Sequence, residues 1–250
     1  MEVHHHSQPA GKKWTHYLWE FFMLFLAVTL GFLVENQREH YVEKQRAKIY
    51  AANLYEDLKK DTATLTDVIE ENDFFTHTMD TLCTLLASWD KHKITSGMIT
   101  FYASYTPAIN FFSPENSTIQ QLQSSGNLRI MGYDISQKIS EYTQRLTALE
   151  NDYALNRSEF EKMEALYFRI FDVYNRYMIF PYRDSANRDS LSRLNIPLLN
   201  DDPKLIREYM GWAKFRGFIY GLENKRFHEP FKKFITELII LLKNKYHFTD

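Results

Sequence analysis

The sequence predicts an all-α protein. We expect one N-terminal transmembrane helix that continues into a stalk, followed by an antiparallel helical bundle with one long heptad-patterned helix. Three observations lead to this prediction. The segment from Tyr17 to Val34 holds eighteen residues and a single charge, Glu20. Apolar residues recur at three- and four-residue steps through much of the remaining chain. Only 8 Gly and 7 Pro occur in 250 residues, which disfavours a many-turned β architecture.

The apolar segment is long enough to cross a bilayer. As a helix, eighteen residues extend about 27 Å, close to the ~30 Å of a hydrocarbon core. A cleaved signal peptide is disfavoured because the polar run Glu35 to Arg38 follows directly, where small residues are required. A buried core helix rarely carries so long an uncharged run. We therefore expect a disordered tail over 1–13, a transmembrane helix over 14–36 and one helical domain over 37–250.

The residues leave the orientation of this span open. Lys12 and Lys13 precede it, but four basic residues follow within fifteen positions, so the positive-inside rule favours a cytoplasmic C-terminal domain. Glu20 is a membrane-embedded polar residue about one turn inside the N-terminal edge. It either snorkels to the headgroups near Lys13, or it contacts a partner span or serves as a proton site.

Several helices are expected directly after the span. The stalk helix is predicted over about 37–73, because no helix breaker interrupts it. Its apolar stripe predicts that it packs on one side. A second helix is predicted over about 75–89 and a third over about 95–105, which must stop before Pro107.

The segment from Thr106 to Thr118 is the first clear loop. Its Phe111 and Phe112 are candidate partner contacts; alternatively, the loop folds back to plug the core. A short helix follows, capped by Asn116 or Ser117. It ends at Gly126, because helices commonly end at a glycine in the left-handed conformation.

The longest soluble helix is predicted over about 134–180, with Asp134 as N-cap and Pro181 as its end. Its period of 3.5 residues favours near-parallel packing, either in an antiparallel bundle or in a dimeric coiled coil. The many tyrosines favour the bundle. The pattern comprises Ile135, Ile139, Tyr142, Leu146, Leu149, Tyr153, Asn156, Phe160, Met163, Tyr167, Ile170, Tyr174 and Tyr177.

The C-terminal helices are predicted over about 202–247. Asp201 or Asp202 caps the first of them, and Pro203 lies in its first turn. Gly217 and Gly221 are one turn apart, which indicates close helix approach rather than a ligand site. Pro230 is expected to kink or break the helix.

Few residues in the sequence indicate a chemical or binding site. No nucleotide-binding loop and no Glu-x-x-His pair is present, and Asp73 with His77 is read as a solvated pair. Glu56, Asp57 and Asp61 are read as a solvated acidic face. The net charge of −2 gives no nucleic-acid footprint. The single cysteine, Cys83, is read as a small buried hydrophobe. No catalytic residue, metal site or cofactor is predicted, and an enzyme is not expected.

Two stretches of the chain, Trp19 to Asp61 and Ser117 to Leu146, contain a further pattern. Its residues are Glu20, Gly31, Leu54, Asp57, Leu58, Asp61, Leu122, Ser125, Gly126, Leu128, Ile135, Ile139 and Tyr142. With these residues the chain resembles an uncharacterised family of single-span bacterial inner-membrane proteins known only as a domain of unknown function. Members usually carry an aromatic Asn-Trp-Asn-like sequence after the span, where this chain has Glu35-Asn36-Gln37. The resemblance implies a helical domain on the periplasmic side and supplies no activity.

The leading functional hypothesis is a membrane-anchored accessory, scaffold or sensor protein. It would act through protein–protein contacts, with a protein partner or as a homo-oligomer. The alternative is a small-ligand sensor with an aromatic core pocket that includes Tyr209, Trp212 and Tyr220. An enzyme with an unrecognised site is the third hypothesis.

Overall fold

A computed structural model describes residues 14–89, 95–179, 189–190 and 193–248. Within these ranges the chain is helical and contains no β-strand. The predicted all-α class is therefore confirmed, together with a long apolar helix at the N-terminal side. The predicted tail over 1–13 lies outside the described residues.

Seven α-helices are described, joined in two places by other helical turns. In chain order they are α1 (Trp14–Ala87), α2 (Ser96–Ala103), α3 (Ser117–Ser124), a 3₁₀ helix (Asn127–Met131), α4 (Tyr133–Ile170), α5 (Val173–Ile179), α6 (Pro203–Glu223), a π-helical turn (Asn224–His228) and α7 (Glu229–Tyr246). Contacts divide the chain into two compact units, Met1–Tyr50 and Ala51–Asp250, and α1 contributes residues to both.

The first unit contains the candidate membrane span. Among the described residues, α1 is the one helix with a stretch long and apolar enough to cross a bilayer, and none of that stretch is buried. Its length and composition satisfy the requirement for a span. A helix that could span a membrane is therefore present where the sequence predicts it.

Helix α1 does not end at Asp73, where the sequence prediction placed a boundary before a second helix. It continues without interruption to Ala87. The polar side chains at this point do not cap a helix terminus. Asn72 donates to Asn224 Oδ1 at 3.1 Å, and Asp73 accepts from Asn224 Nδ2 at 3.0 Å. Their polarity serves a contact with a distant segment, so the helical backbone has no reason to stop there.

Helix α4 is shorter than predicted. Every apolar residue of the predicted pattern from Ile135 to Ile170 is buried. The helix then ends at Phe171, whose backbone is extended (φ −102°, ψ 139°), and Tyr174 beyond it is exposed. The N–H of Leu199 donates to the Ile170 carbonyl at 2.9 Å. Asp172 Oδ1 accepts from Asn175 N at 3.0 Å, the bond of an N-cap residue at the start of α5. The predicted end at Pro181 and the side chain of Tyr177 lie outside the described residues.

The N-terminus of α4 also differs from the prediction. Gly132, with φ +84°, precedes the helix, and Asp134 lies inside its first turn rather than at the cap. A residue without Cβ adopts this positive φ readily. Asp134 still suits its place, because a carboxylate in the first turn interacts favourably with the helix dipole.

The chain stays helical past Pro230, which the sequence predicted to kink or break it. Proline lacks an N–H and its ring collides with the carbonyl four residues back. Here the helix widens just before Pro230 into the π-helical turn, where Glu229 N bonds to Asn224 O, five residues back. A single wide turn thus replaces the predicted break.

The second unit is held together by contacts between α1, α4 and the α6–α7 segment. One apolar cluster joins residues from α1, α2, α4 and α6 around Met79, Met163 and Tyr209. Residue numbers that increase along α6 and the π-helical turn lie beside residue numbers that decrease along α1. A Cβ at Gly217 would lie 3.1 Å from Met79 Cβ, and Asn224, seven residues later, bonds to Asn72, seven residues before Met79. These two helices therefore run antiparallel.

Other local predictions agree with the structure. Gly126, after α3, has φ +67°, the left-handed conformation expected there. Asp202 accepts from Lys204 N at 3.2 Å and caps α6, with Pro203 as its first residue. Of the two glycines predicted at a close helix approach, Gly217 lies at one, because a Cβ there would be 3.1 Å from Met79 Cβ, whereas the nearest atom to a Cβ at Gly221 is 3.9 Å away.

Candidate functional site

Glu20 lies on an exposed face of α1. Its nearest described partner is His16, one turn earlier, with Nε2 and Oε1 3.0 Å apart. The two side chains are i and i+4 on a helix, the spacing at which such pairs meet. Glu20 therefore has a local polar neighbour within its own helix.

Phe111 and Phe112, the candidate partner contacts, have separate environments. Phe112 is buried against Phe231, and its backbone N–H donates to the Tyr153 hydroxyl at 3.1 Å. Phe111 is 43% exposed, with its ring 4.8 Å from that of Tyr153. The loop thus folds back onto the core through Phe112, and Phe111 is the member of the pair that faces solvent.

The three residues of the predicted aromatic pocket do not share one environment. Tyr209 and Tyr220 are fully buried, and their hydroxyls bond to Thr106 Oγ1 at 2.8 Å and to the Ala108 carbonyl at 2.7 Å. Trp212 lies in a shallow surface groove beside Phe215. The two tyrosines fill the interior, because both their rings and their hydroxyls are engaged within the protein.

The most distinctive polar feature is a buried network around His228, at the end of the π-helical turn. His228 is completely buried, with Nδ1 3.0 Å from Asn224 Oδ1 and Nε2 2.7 Å from the Tyr153 hydroxyl. Asn224 donates onward to the Ile69 carbonyl at 2.9 Å. Asn72 Oδ1 accepts from Asn110 at 3.0 Å. The network therefore joins α1, α4, the loop after α2 and the π-helical turn.

The hydrogen bonds of this network assign the state of the imidazole. Asn224 Oδ1 can only accept, so Nδ1 of His228 carries the proton. Nε2 then accepts from the Tyr153 hydroxyl, which itself accepts from Phe112 N. Burial lowers the pKa of His228 to about 4, because the charged form has lost its water. The histidine is neutral at physiological pH.

A buried carboxyl group lies one residue before the π-helical turn. Glu223 is 3% exposed and its Oε1 accepts from Asn156 Nδ2 at 3.0 Å. Asn156 also donates to Asp152 at 3.1 Å. Desolvation is the largest cause that raises the pKa of Glu223 to about 7; the Asp152 carboxylate raises it further and the Arg216 guanidinium opposes the rise. Glu223 is thus a buried group that can exchange a proton near neutral pH.

Arg216 forms a second buried polar cluster on α6. Its guanidinium stacks 3.8 Å above the Phe160 ring centroid and donates to the Tyr220 hydroxyl and the Ala108 carbonyl. A guanidinium tolerates such a site because it is weakly hydrated and stacks on aromatic faces. Arg216 binds the loop after α2 to the core, so its role here is structural.

The acidic face predicted to be solvated is largely occupied. Asp61 is buried and accepts from the Tyr142 hydroxyl at 2.6 Å and from Glu115 N at 2.7 Å. Asp57 accepts from Thr118 Oγ1 at 2.6 Å, at the start of α3. Burial raises the pKa of Asp61, and the hydrogen bonds from Tyr142 and Glu115 partly offset this rise. The prediction of a solvated surface was wrong for Asp61, because the loop and α4 cover it.

No group of three or more metal-ligating side chains lies together in the described ranges. Cys83 is partly buried, its thiol donates to the Met210 carbonyl at 3.5 Å, and burial raises its pKa. The site therefore contains a buried acid–base group, Glu223, and a buried hydrogen-bond network around the neutral His228. Sequence reasoning missed both, and the only sequence signal was a polar Asn156 within an otherwise apolar pattern.

Scans of the chain against protein-family models, curated proteins and solved structures found no match.

Proposed function

We propose that this chain is a single-span membrane protein whose helical domain acts through contacts with other proteins, as an accessory or scaffold subunit. The main support for the membrane span in this proposal is a set of exposed, large apolar side chains at the start of α1. More than half of each is exposed: Trp14, Tyr17, Leu18, Trp19, Phe21, Met23, Leu24, Phe25, Val28, Leu30, Phe32, Leu33 and Val34.

Hydrocarbon is the environment that favours such a surface. Removing one large apolar side chain from water is worth ~2 kcal/mol, so a helix with this row uncovered is strongly disfavoured in water. A bilayer provides the missing apolar contacts, and the helix satisfies its own backbone hydrogen bonds there. Within the domain, α4 would serve as the heptad-patterned helix of a bundle.

A contact role fits the polar chemistry better than catalysis does. The buried titratable groups Asp61, Glu223 and His228 bond to other side chains or backbone of the same chain. Groups that are used in this way hold helices together. We therefore propose a contact role for the protein and no catalytic one.

We further propose that the span lies in a bacterial inner membrane with the C-terminal domain in the periplasm. The resemblance of residues 19–61 to single-span proteins supports this orientation, whereas the basic residues after Val34 favour the opposite one. A pair of reporters fused after Asp250 separates the two. We expect alkaline phosphatase to be active and green fluorescent protein to be dark; the reverse result would refute the periplasmic orientation.

Crosslinking in the membrane tests the contact role. A photo-crosslinking amino acid at Phe111, which is exposed, should trap a neighbouring protein, whereas the same residue at exposed Glu237 on α7 serves as the matched control. A purified protein that is monomeric and yields no crosslinked partner from the membrane would refute the proposal.

A further inference from the structure

The solvent side of α6 carries a second row of uncovered apolar side chains. Phe215, Phe218 and Leu222 are 42%, 62% and 40% exposed, and Gly211 continues the row towards the N-terminus. The opposite face of the helix is packed into the core through Tyr209. A surface row of large apolar residues on a helix whose other face is already buried is typical of an interaction surface.

The spacing of this row is symmetric about its centre. Gly211, Phe215, Phe218 and Leu222 follow one another at steps of four, three and four residues. A two-fold axis between Phe215 and Phe218 therefore places each residue of the row opposite a residue of the same row in a second copy. Phe215 would face Phe218, and Gly211 would face Leu222. Such self-complementarity is what an isologous dimer requires.

The glycine fits this pairing sterically. A Cβ built at Gly211 meets nothing within 4 Å, so the backbone there is open to solvent. Leu222 of the second copy can therefore lie directly on the helix backbone at Gly211. Steps of three and four residues also favour closely aligned helices with a crossing angle of about 20°, and the two-fold axis makes the two copies of α6 antiparallel.

Charged residues flank the row on each side. Glu208 lies three residues before Gly211 in α6, and Lys225 lies three residues after Leu222 in the π-helical turn; both are exposed. Among the described residues neither has an ion-pair partner, unlike Lys214, which pairs with Asp80 at 2.5 Å. The same two-fold axis brings Glu208 opposite Lys225 of the second copy, and this pair forms twice.

We propose that α6 is a dimerisation helix, on which a second copy of this chain packs antiparallel through Gly211, Phe215, Phe218 and Leu222, with Glu208 and Lys225 paired at both ends. This inference deepens and rests on the proposed function, since it names a second copy as one of the protein contacts.

Disulfide trapping tests the register. In the full-length protein in detergent micelles, with Cys83→Ser, the variants Gly211→Cys and Leu222→Cys are prepared separately and then mixed under copper–phenanthroline oxidation. The proposed pairing brings position 211 of one copy to position 222 of the other, whereas the two copies of position 211 lie about 16 Å apart along the axis, beyond disulfide reach. We expect a crosslinked dimer from the mixture and little from either variant alone. A mixture that crosslinks no better than the separate variants overturns the proposal.

Charge reversal gives an independent readout that does not depend on core residues. Glu208→Lys and Lys225→Glu should each weaken dimerisation about tenfold in sedimentation equilibrium at low salt, since two attractions become two repulsions. The double variant should recover the wild-type dissociation constant. A double variant as weak as the single variants overturns the pairing.

Apolar contacts are tested with a matched pair of substitutions. Phe218→Ser should weaken the dimer more than tenfold, whereas Phe168→Ser, at a phenylalanine on α4 that is 49% exposed, should not. Equal effects of the two substitutions overturn the assignment of the surface to α6. If the α6 experiments fail while the Phe111 crosslink is obtained, the dimer is refuted and the proposed function stands. If no Phe111 crosslink forms but the α6 dimer does, Phe111 is refuted as a contact site, and the contact with a second copy stands.

Discussion

Replacing Glu223 by Gln should change the pH dependence of stability in a way that the structure specifies. The substitution keeps the size of the side chain and an oxygen that can accept the hydrogen bond from Asn156. It removes only the ability to ionise. Glu223 is the group for this test because it is buried and its pKa is raised from 4.5 to about 7.

The direction of the change in the free energy of unfolding with pH depends on the proton that Glu223 binds in the folded and unfolded proteins. Between pH 4.5 and about 7, folded Glu223 keeps a proton that the unfolded chain has lost, so the stability of the wild type falls as pH rises. The contribution is fully present below pH 4.5 and is lost as pH passes through about 7. At about 1.4 kcal/mol for each pH unit, the loss amounts to ~3 kcal/mol.

The Glu223→Gln variant stays neutral, so its stability does not fall as pH rises through about 7. Its free energy of unfolding minus that of the wild type should be near zero at pH 4.5 and should rise to about +3 kcal/mol at pH 8. His228 acts in the opposite sense, because its lowered pKa makes stability fall as pH drops from 6.5 to about 4. Asp61 and Asp152, whose pKa values are raised, act in the same sense as Glu223. All three remain in both proteins, so the difference isolates Glu223.

Urea titrations of the full-length protein in detergent, followed by tryptophan fluorescence at steps between pH 4.5 and 8, measure this difference. Glu237→Gln, at an exposed position of α7, is the matched control and should leave the curve unchanged. A difference that does not vary with pH would refute the reasoning. A wild type more stable than the Glu223→Gln variant at pH 8 would do the same.

Two further predictions use the same measurement. Gly217→Ala should destabilise the protein by about 1–3 kcal/mol because its Cβ would lie 3.1 Å from Met79 Cβ. Gly221→Ala, one turn later with its nearest contact at 3.9 Å, should stabilise it by about 0.5–1 kcal/mol; equal effects would contradict the close approach. Tyr142→Phe should cost about 1–3 kcal/mol because it leaves the buried Asp61 carboxylate without its 2.6 Å hydrogen bond, and an unchanged midpoint would contradict this.

Local features of the fold could be predicted from local chemistry. The cap at Asp202, the left-handed Gly126 and the burial of α4 side chains up to Ile170 each depend on a residue and its neighbours within a few turns. The apolar segment at the start of α1 could be predicted for the same reason. Such features need no knowledge of the distant chain.

Apart from the cap of α4 at Gly132 and the turn before Pro230, the failures involve partners far along the sequence. Asn72 and Asp73 looked like a helix boundary, but they bond to Asn224, about 150 residues away. The end of α4 at Phe171 depends on Leu199 taking the carbonyl of Ile170. The candidate site at His228 joins four separate segments. Spacing within one helix carries no information about such partners, so the sequence could not predict them.

The hydrogen-bonded chain at the π-helical turn has a consequence for helix register. An apolar stripe with a repeat of three and four residues also fits, less perfectly, when one helix slides by a full turn along another. A slide of α6 and α7 along α1 and α4 would separate Asn224 from Asn72 on α1 and His228 from Tyr153 on α4. Each buried donor or acceptor left unpaired costs about 1–3 kcal/mol. The network therefore makes one alignment of these helices much more stable than its neighbours, as a buried polar residue does in a coiled coil.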